Sequence, residues 1–313
     1  MESPRERVLA SLNHLQPDQI ALDFGGHRSS GIAAIAYAKL KKAMGISSGN
    51  IYVYDIIQQL AIVEEEVLDA VGADVVELGR GFLLEESEWK DWELPDGTAC
   101  KIPTYINAVK EGDDWFVLNR EGQKAGVQKK GCYYFEQLIY PLSERGLEND
   151  NFSDLEEQLP LSMWSAAPTP GGHFDLEKKA DFEAFSEGAK KLRASTERAI
   201  LGIFGGSLFE SPQGLYKPEA YFMAMASLPG KVMELSEKLC DLHLKNLETY
   251  LAAVGEHIDI ILFGDDLGTY MWPMIDPAMY REYFKPFHKN MWTRVKELAP
   301  HLKIQLHCCG GIE

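Results

Sequence analysis

The sequence predicts an α/β protein built around a parallel sheet. Short apolar runs with the character of buried strands alternate with longer amphipathic segments, which is typical of repeated strand–helix units. At 313 residues the chain has the length of one large α/β domain, and we expect a single TIM (β/α)8 barrel over residues 1–313 rather than an open doubly wound sheet. About five barrel strands are recognisable where a complete barrel has eight, so we expect the barrel to be truncated at its C-terminal end.

The first half of the chain supplies the elements in order. Apolar spacing predicts helices over 4–12, 31–44 and 55–71 and strands over 20–24 and 73–78. Gly45 is placed to end the second helix. Between residues 80 and 135 the pattern changes to short alternating runs separated by turn signals such as 95–97 and 120–122. This segment is predicted to be a small antiparallel β insertion.

The alternation resumes in the second half. Helices are predicted over 176–198, 218–228 and 229–254, with strands over 199–204 and 258–263. Asp276 and Pro277 mark a helix start, because Asp is a favoured N-cap and Pro is favoured in the first turn. A break at Pro286, a helix to Leu298 and a last strand ending in His307 complete the pattern.

Composition excludes several classes of protein. A formal net charge of -17 without a basic stripe argues against nucleic-acid binding, which depends on clustered Lys and Arg. Five cysteines without a regular spacing do not describe a disulfide framework, and a reduced, cytoplasmic setting fits them. The N-terminal residues lack the apolar core of a signal peptide, and no run has the roughly 18 apolar residues of a membrane helix. We therefore expect no membrane partner.

The last predicted strand ends in a pair of soft metal ligands. Side chains alternate along a strand, so His307 and Cys309 should face one way and Cys308 the other. Imidazole and thiolate are ligands that Zn²⁺ prefers, and a catalytic site needs about three protein ligands and one open position. The pair therefore predicts part of a zinc site, and buried structural histidine and cysteine remain the alternative.

Other candidate residues follow predicted strands. Asp265 and Asp266 lie at the carboxyl end of the strand over 258–263, where barrel enzymes place catalytic groups. The alternative is that one of them caps the next segment or binds backbone amides.

The Gly-rich loop over 25–31 contains Gly26, His27 and Arg28 and could offer backbone N–H groups to an anionic substrate, or be a plain connector. Asp55 is a further substrate-binding candidate, or else a helix N-cap. Tyr270, beside the methionine- and tryptophan-containing segment 271–274, is also expected at the substrate, although such residues are more often core.

Several motifs together resemble one superfamily. They are residues 6–14 (ERVLASLNH), 206–210 (GSLFE), 264–268 (GDDLG), 277–286 (PAMYREYFKP) and 307–310 (HCCG). In their order and spacing they resemble the uroporphyrinogen decarboxylase superfamily, and the chain looks more like its corrinoid-dependent methyltransferase branch. The resemblance implies a TIM barrel with its site at the carboxyl ends of the strands. It also implies zinc held by a His-x-Cys pair, matching His307 and Cys309, and by a later Cys that this sequence does not contain.

Three functions remain open at this stage. The first is transfer of a methyl group between a small substrate or thiol and a corrinoid carried by a separate partner protein, with zinc as cofactor. The second is decarboxylation of a polycarboxylate tetrapyrrole, which the other branch of the superfamily implies and which requires cationic groups such as Arg5, Arg7 and Arg28. The third is a partial barrel that serves as an interaction subunit, with its uncovered edge strand paired by another chain.

Overall fold

The computed structural model describes residues 1–312 and shows a mixed α/β chain. The strands are β1 (Val53–Asp55), β2 (Leu60–Ala61), β3 (Val75–Glu77), β4 (Trp89–Glu93), β5 (Ala99–Pro103), β6 (Ala108–Glu111), β7 (Asp114–Leu118), β8 (Lys124–Gln128), β9 (Glu136–Gln137), β10 (Ala199–Gly205), β11 (Ile260–Gly264) and β12 (Lys303–His307). The helices are α1 (Pro4–Leu12), α2 (Ala34–Ala43), α3 (Glu65–Val71), α4 (Leu155–Gln158), α5 (Met163–Ala166), α6 (Lys179–Ser195), α7 (Glu210–Tyr216), α8 (Pro218–Ser227), α9 (Pro229–Val254), α10 (Pro277–Tyr283) and α11 (Lys285–Leu298).

The main sheet is parallel and has four strands in the order β12-β11-β10-β3. The sheet does not close on itself, and no closed barrel is present among the described residues. Three strands of this sheet are strongly apolar, as expected for a sheet covered by helices. The α/β class and the parallel sheet are therefore confirmed.

The chain divides into two compact units. The first contains residues 1–138, 163–202 and 257–259, and the second contains residues 139–162, 203–256 and 260 onward. Strand β10 contributes its first four residues to the first unit, where the first three of them pair with β3, and its last three residues to the second unit.

The antiparallel insertion lies in the first unit. Strands β4 and β5 form one hairpin, and β6, β7, β8 and β9 form a separate four-stranded antiparallel sheet. The antiparallel strands predicted within 80–135 are present and extend to Gln137, because short alternating runs joined by tight turns can pair locally without a covering helix.

Two predicted elements in this unit are wrong. Residues 20–24 form no strand: Ile20 is 90% exposed, and the Asp74 carboxylate accepts the Leu22 N–H, replacing a strand partner with a side chain. The predicted helix over 55–71 begins only at Glu65. Before it, the Asp55 carboxylate accepts the Gln58 N–H and Gln59 has a φ of 55°, so the chain reverses between β1 and β2.

A pair of glycines allows α6 to approach the segment after β3 closely. An added Cβ at Gly81 would lie 2.7 Å from the carbonyl oxygen of Gly188, and one at Gly188 would clash with the Phe82 ring. The Phe82 and Phe185 rings stack at 5.2 Å beside this contact. Neither glycine has a positive φ, so the requirement is for space and not for backbone freedom.

In the second unit, α9 and α11 cover the parallel strands with apolar residues. The 26-residue α9 buries a stripe that includes Val232, Leu235 and Leu239, and α11 buries Met291 and Val295. The predicted N-cap is confirmed, because the Asp276 side chain accepts the Ala278 N–H at 2.7 Å. The chain then restarts as α11 with Pro286 in its first turn, as the sequence indicates.

Among residues 1–312, no helix combines the length and the apolar character needed to cross a lipid bilayer.

Asp259 is predicted to be critical for the stability of the first unit. This carboxylate is 2% exposed and accepts Arg5 Nε at 2.6 Å, Arg193 Nη1 at 2.9 Å and the Ile200 N–H at 2.9 Å. Asp259→Ala leaves a half-buried guanidinium and an amide without their acceptor, so we expect the free energy of unfolding to fall by roughly 3 kcal/mol in urea titrations. The exposed Asp241→Ala is the control and should change it by less than about 0.5 kcal/mol; equal effects would contradict the assignment.

Candidate metal centre

The register of two neighbouring strands brings the candidate ligands together. Strands β11 and β12 pair in parallel, with Gly264 opposite His307. The Asp265 N–H continues the ladder and donates to the His307 carbonyl at 3.0 Å. Asp266 and Cys309 each lie two residues beyond the Gly264–His307 pair, so they emerge side by side at the carboxyl ends of the strands. Ligand sites in parallel sheets occur at this end.

Three side chains converge there. One ligand atom from each of Asp266, His307 and Cys309 lies within 4.8 Å of the other two. Cys309 Sγ is 3.3 Å from His307 Nε2, and that nitrogen is 3.4 Å from Asp266 Oδ1. Cys308 lies apart from them, since its sulfur accepts the Leu267 N–H at 3.2 Å. The predicted separation of His307 and Cys309 from Cys308 matches this geometry.

The donor set fits a tetrahedral zinc ion. With metal–donor distances of about 2.0 Å for nitrogen and oxygen and about 2.3 Å for sulfur, tetrahedral angles put donor atoms about 3.3–3.5 Å apart. The separations of 3.3 Å between sulfur and nitrogen and 3.4 Å between nitrogen and oxygen are within about 0.2 Å of this geometry. Thiolate, imidazole and carboxylate are all zinc ligands, and three of them leave a fourth position for a substrate atom. Asp266, expected as a catalytic group, therefore lies where a third ligand is needed.

The centre is acidic and accessible to solvent. Asp266 and His307 are half-buried and Cys309 is exposed, so an ion and a small substrate can both reach them. Desolvation, and after it the hydrogen bond and charge of Asp266, raise the pKa of the Cys309 thiol to about 11. A divalent cation would reverse this balance, because it stabilises the thiolate directly.

Asp266 is held in place by hydrogen bonds of both its side chain and its backbone N–H. Its Oδ1 accepts the Cys309 N–H at 2.7 Å, and its backbone N–H donates to Glu210 Oε2 at 3.0 Å. These bonds join the ends of β11 and β12 to the first residue of α7. The orientation of the carboxylate toward His307 is therefore fixed before any ion is bound.

Asp265 has a different environment from its neighbour. It is fully buried, and its carboxylate accepts the N–H groups of Leu208, Phe209 and Glu210 at 2.9–3.0 Å and the Ser207 hydroxyl at 2.7 Å. The structure corresponds to the alternative considered above, in which one Asp binds backbone amides. Asp265 thus positions the start of α7, including Glu210, and its carboxylate is not exposed to a substrate.

A buried histidine forms a further hydrogen bond with the Asp265 carboxylate. His288 is 1% exposed and its Nε2 lies 2.9 Å from Asp265 Oδ2, so this nitrogen carries the proton that the carboxylate accepts. The other ring nitrogen lies 3.3 Å from the Tyr280 hydroxyl, which can then donate to it. The His288 ring stacks on Trp292 at 5.3 Å with an interplanar angle of 6°. Sequence reasoning missed His288 because it lies inside α11, far along the chain from the strand ends.

The predicted anion-binding loop uses its own donors. The Gly26 N–H donates to Asp23 Oδ1 at 2.8 Å, and the Ser29 N–H donates to His27 Nδ1 at 3.2 Å. His27 is buried at 6% exposure and caps a short 3₁₀ helix over Arg28–Ser30. These internal bonds correspond to the connector alternative, so the loop offers few amides to an anionic ligand.

Arg28 and Asp55 do come together, in the first unit. Arg28 Nε lies 2.8 Å from Asp55 Oδ2, and the guanidinium lies over the Trp164 ring at 5.3 Å. Asp55 is fully buried at the end of β1 and caps the following turn rather than a helix. Tyr270, the last predicted substrate contact, is 96% exposed at the tip of a turn, with its side chain in solvent.

Glu77 is an acidic residue that the sequence analysis passed over. It ends β3, is 9% exposed, and has no salt-bridge partner among the described residues. Burial raises its pKa to about 7, against the Gly79 N–H and the charges of Arg28 and Arg80, which lower it. A glutamate within a predicted buried strand was visible in the sequence and is the signal that could have identified it.

No family model matches the sequence, and no curated protein is significantly similar to it. A solved structure, a methyltransferase from Methanosarcina mazei, is similar with a TM-score of 0.46 and 13% identity, over 99% of this chain and 71% of that chain. Similarity at this level does not establish a shared activity, so the function has to be inferred from the residues of the site.

Asp265→Asn should destabilise the second unit. The amide nitrogen of Asn would face backbone donors, and three buried N–H groups and His288 would lose a charged acceptor. We expect the free energy of unfolding to fall by roughly 3 kcal/mol in urea titrations. Asp266→Asn, at a half-buried neighbour with fewer bonds, should cost about 1 kcal/mol or less. A larger loss for Asp266→Asn than for Asp265→Asn would contradict the roles given to the two carboxylates.

Glu77 should make stability depend on pH between about 4.5 and 7. In this window the folded chain keeps the Glu77 proton that the unfolded chain has lost, so stability falls as pH rises and levels off above pH 7. Glutamine does not titrate, so the variant lacks this loss of stability. The free energy of unfolding of Glu77→Gln, measured relative to the parent, should therefore increase by roughly 2–3 kcal/mol from about pH 5 to about pH 8. Urea titrations at both pH values measure the difference. A difference between the two proteins that does not change with pH would contradict the raised pKa.

Proposed function

We propose that the second unit carries a zinc-dependent methyl-transfer site, which moves a methyl group between a small substrate or thiol and a corrinoid held by a partner protein. The observation that carries the proposal is the convergence of Asp266, His307 and Cys309 at the ends of β11 and β12. The resemblance of the motifs to the corrinoid-dependent methyltransferase branch gives that metal site its chemistry. Zinc bound there would supply a Lewis acid that lowers the pKa of a substrate thiol.

The residues of the chain supply the ligands and their orientation. His307 Nε2, Cys309 Sγ and the Asp266 carboxylate would hold the ion and leave one position open to solvent. The Cys309 N–H and Glu210 fix Asp266, while Asp265 and His288 fix the segment that presents Glu210. The preorganised set lowers the cost of assembling the site when an ion or substrate binds. We propose a partner protein as the source of the corrinoid, because no cobalamin-binding module is recognisable in this sequence.

The decarboxylase alternative has less support than methyl transfer, because the three candidate arginines already form ion pairs. A polycarboxylate needs unpaired cationic groups, but Arg5 is paired with Asp259, Arg7 with Asp18 and Asp74, and Arg28 with Asp55. All three candidate arginines are therefore already neutralised by carboxylates of the first unit. Opening these pairs to bind a substrate would leave buried carboxylates without partners.

We also propose that the parallel sheet is part of a (β/α)8 barrel. A (β/α)8 barrel would place its site at the carboxyl ends of parallel strands, and the three donors occupy that position on β11 and β12. The four-stranded sheet of the described residues is compatible with part of such a barrel.

Zinc binding tests the ligand set. We expect the purified chain to bind about one zinc ion, and His307→Ala, Cys309→Ser and Asp266→Asn each to weaken binding by at least about tenfold in competition with a chromophoric chelator. Cys308→Ser is the matched control, because its sulfur accepts the Leu267 N–H instead of facing the cluster, and it should bind zinc like the parent. If Asp266→Asn also binds like the parent, Asp266 is not a ligand. If Cys308→Ser loses zinc, the ligand set is wrong.

Methyl transfer tests the activity itself. When the zinc-loaded chain is mixed with methylcobalamin and 2-mercaptoethanol, the absorption spectrum of methylcobalamin should disappear as its methyl group is transferred. The methylated thiol should be detected by mass spectrometry. The His307→Ala chain should lose at least about 100-fold of this rate, since removing a ligand abolishes thiol activation. A chain that holds zinc but transfers no methyl group to any small thiol would rule out the proposed reaction while leaving the metal site intact.

A further inference from the structure

A small cavity lies in the first unit, at the carboxyl end of β3. It is a partly open pocket, and its empty space of about 290 Å³ includes open solvent at its mouth. The cavity is lined by Gly25, Tyr54, Ala61, Ile62, Val63, Glu77, Gly79, Arg80 and Pro170. Its walls are largely apolar or main-chain, with one carboxylate, one guanidinium and one phenol ring. Pockets with few polar groups in an apolar lining are typical of small-ligand sites.

The cavity contains an acid without a counter-charge. The Arg80 guanidinium donates to the Val63 carbonyl at 2.5 Å and to Glu65 Oε2 at 2.9 Å, so its charge is already paired. Arg28, the other cation that acts on Glu77, is paired with Asp55. Within the described residues, Glu77 is therefore left as the unpaired carboxylate of this group, although it is nine-tenths buried.

The neighbouring ion pair also has unused bonding capacity. Arg28 Nε and Asp55 Oδ2 are buried and make no hydrogen bond, although they lie 2.8 Å apart. Buried polar atoms are satisfied in the great majority of cases, by protein, water or a bound ligand. These two atoms do not line the cavity, whereas Glu77 does and has no salt-bridge partner among the described residues, so Glu77 is the group that can receive a polar ligand from outside the chain.

We infer that this cavity binds the ammonium head of a small amine, with the Glu77 carboxylate as its counter-charge and the Tyr54 ring as one wall. An ammonium group supplies a positive charge and N–H donors in addition to the Gly79 N–H that Glu77 already accepts, and a phenol ring attracts a cation electrostatically. An anionic ligand would meet Glu77 with both nearby guanidinium groups already paired. The net charge of -17 also favours cations near the chain.

The inference is independent of the metal centre. It uses none of Asp266, His307 and Cys309, and the cavity residues all belong to the first unit. Loss of zinc binding would therefore leave the amine site in place, and absence of amine binding would leave the methyl-transfer proposal untouched.

Titration with methylammonium chloride tests the site, with protein NMR shifts and calorimetry as readouts and sodium chloride matching the ionic strength. We expect saturable binding to the full chain, weakened at least about tenfold by Glu77→Gln, because the charged hydrogen bond is lost. Gly79→Ala keeps the carboxylate but adds a methyl group that would clash with it and lie 3.1 Å from Pro170 Cβ, so it should weaken binding as well. The exposed Glu121→Gln is the matched control and should bind like the parent.

Three outcomes would overturn the inference. They are no saturable binding of methylammonium, equal binding by the parent and by Glu77→Gln, and equal binding of acetamide, which has donors of similar size but no charge. Circular dichroism and thermal unfolding check each variant for folding. If Glu77→Gln does not fold, Gly79→Ala decides: binding at the parent's affinity by that variant would contradict the cavity as the site.

Discussion

The buried carboxylate of Asp265 organises the second unit around the strand ends. Its side chain accepts hydrogen bonds from three consecutive backbone N–H groups at the start of α7 and from His288, while the backbone N–H of Asp265 extends the ladder between β11 and β12. A charge that is fully buried is tolerated only where such donors surround it. The same bonds bring Glu210 to Asp266 and so help to orient one of the three proposed metal ligands. The site therefore depends on a residue that does not itself face the substrate.

The sequence predicted the regular elements well where periodicity and caps agreed. The long helices α6 and α9, the break at Pro286 and the strands β10, β11 and β12 lie close to their expected positions. The failures at 20–24 and 55–71 share a physical cause: the side chains of Asp74 and Asp55 bond to nearby backbone amides and replace the expected regular pattern. A hydrophobic pattern does not report such bonds, because they depend on which distant segment is adjacent.

The candidate site was predictable only where its geometry is local to one strand. Alternation along a strand was enough to place His307 and Cys309 together and Cys308 apart, since it needs only local geometry. The positions of Asp265 and Asp266 required the register between two strands separated by about forty residues of helix and turn. Two adjacent acids of the same type consequently have unlike environments, one saturated by amides and one facing a histidine and a cysteine.

The position of the three donors on two neighbouring strands links ion binding to the integrity of the sheet. Strand β12 has a hydrogen-bonded neighbour on one side only among the described residues. An ion held between Asp266 on the β11 side and His307 and Cys309 on the β12 side would cross-link this terminal strand to the next one. Detachment of β12 from β11 would then require the ion to dissociate first, so a higher concentration of free metal would make this local opening rarer.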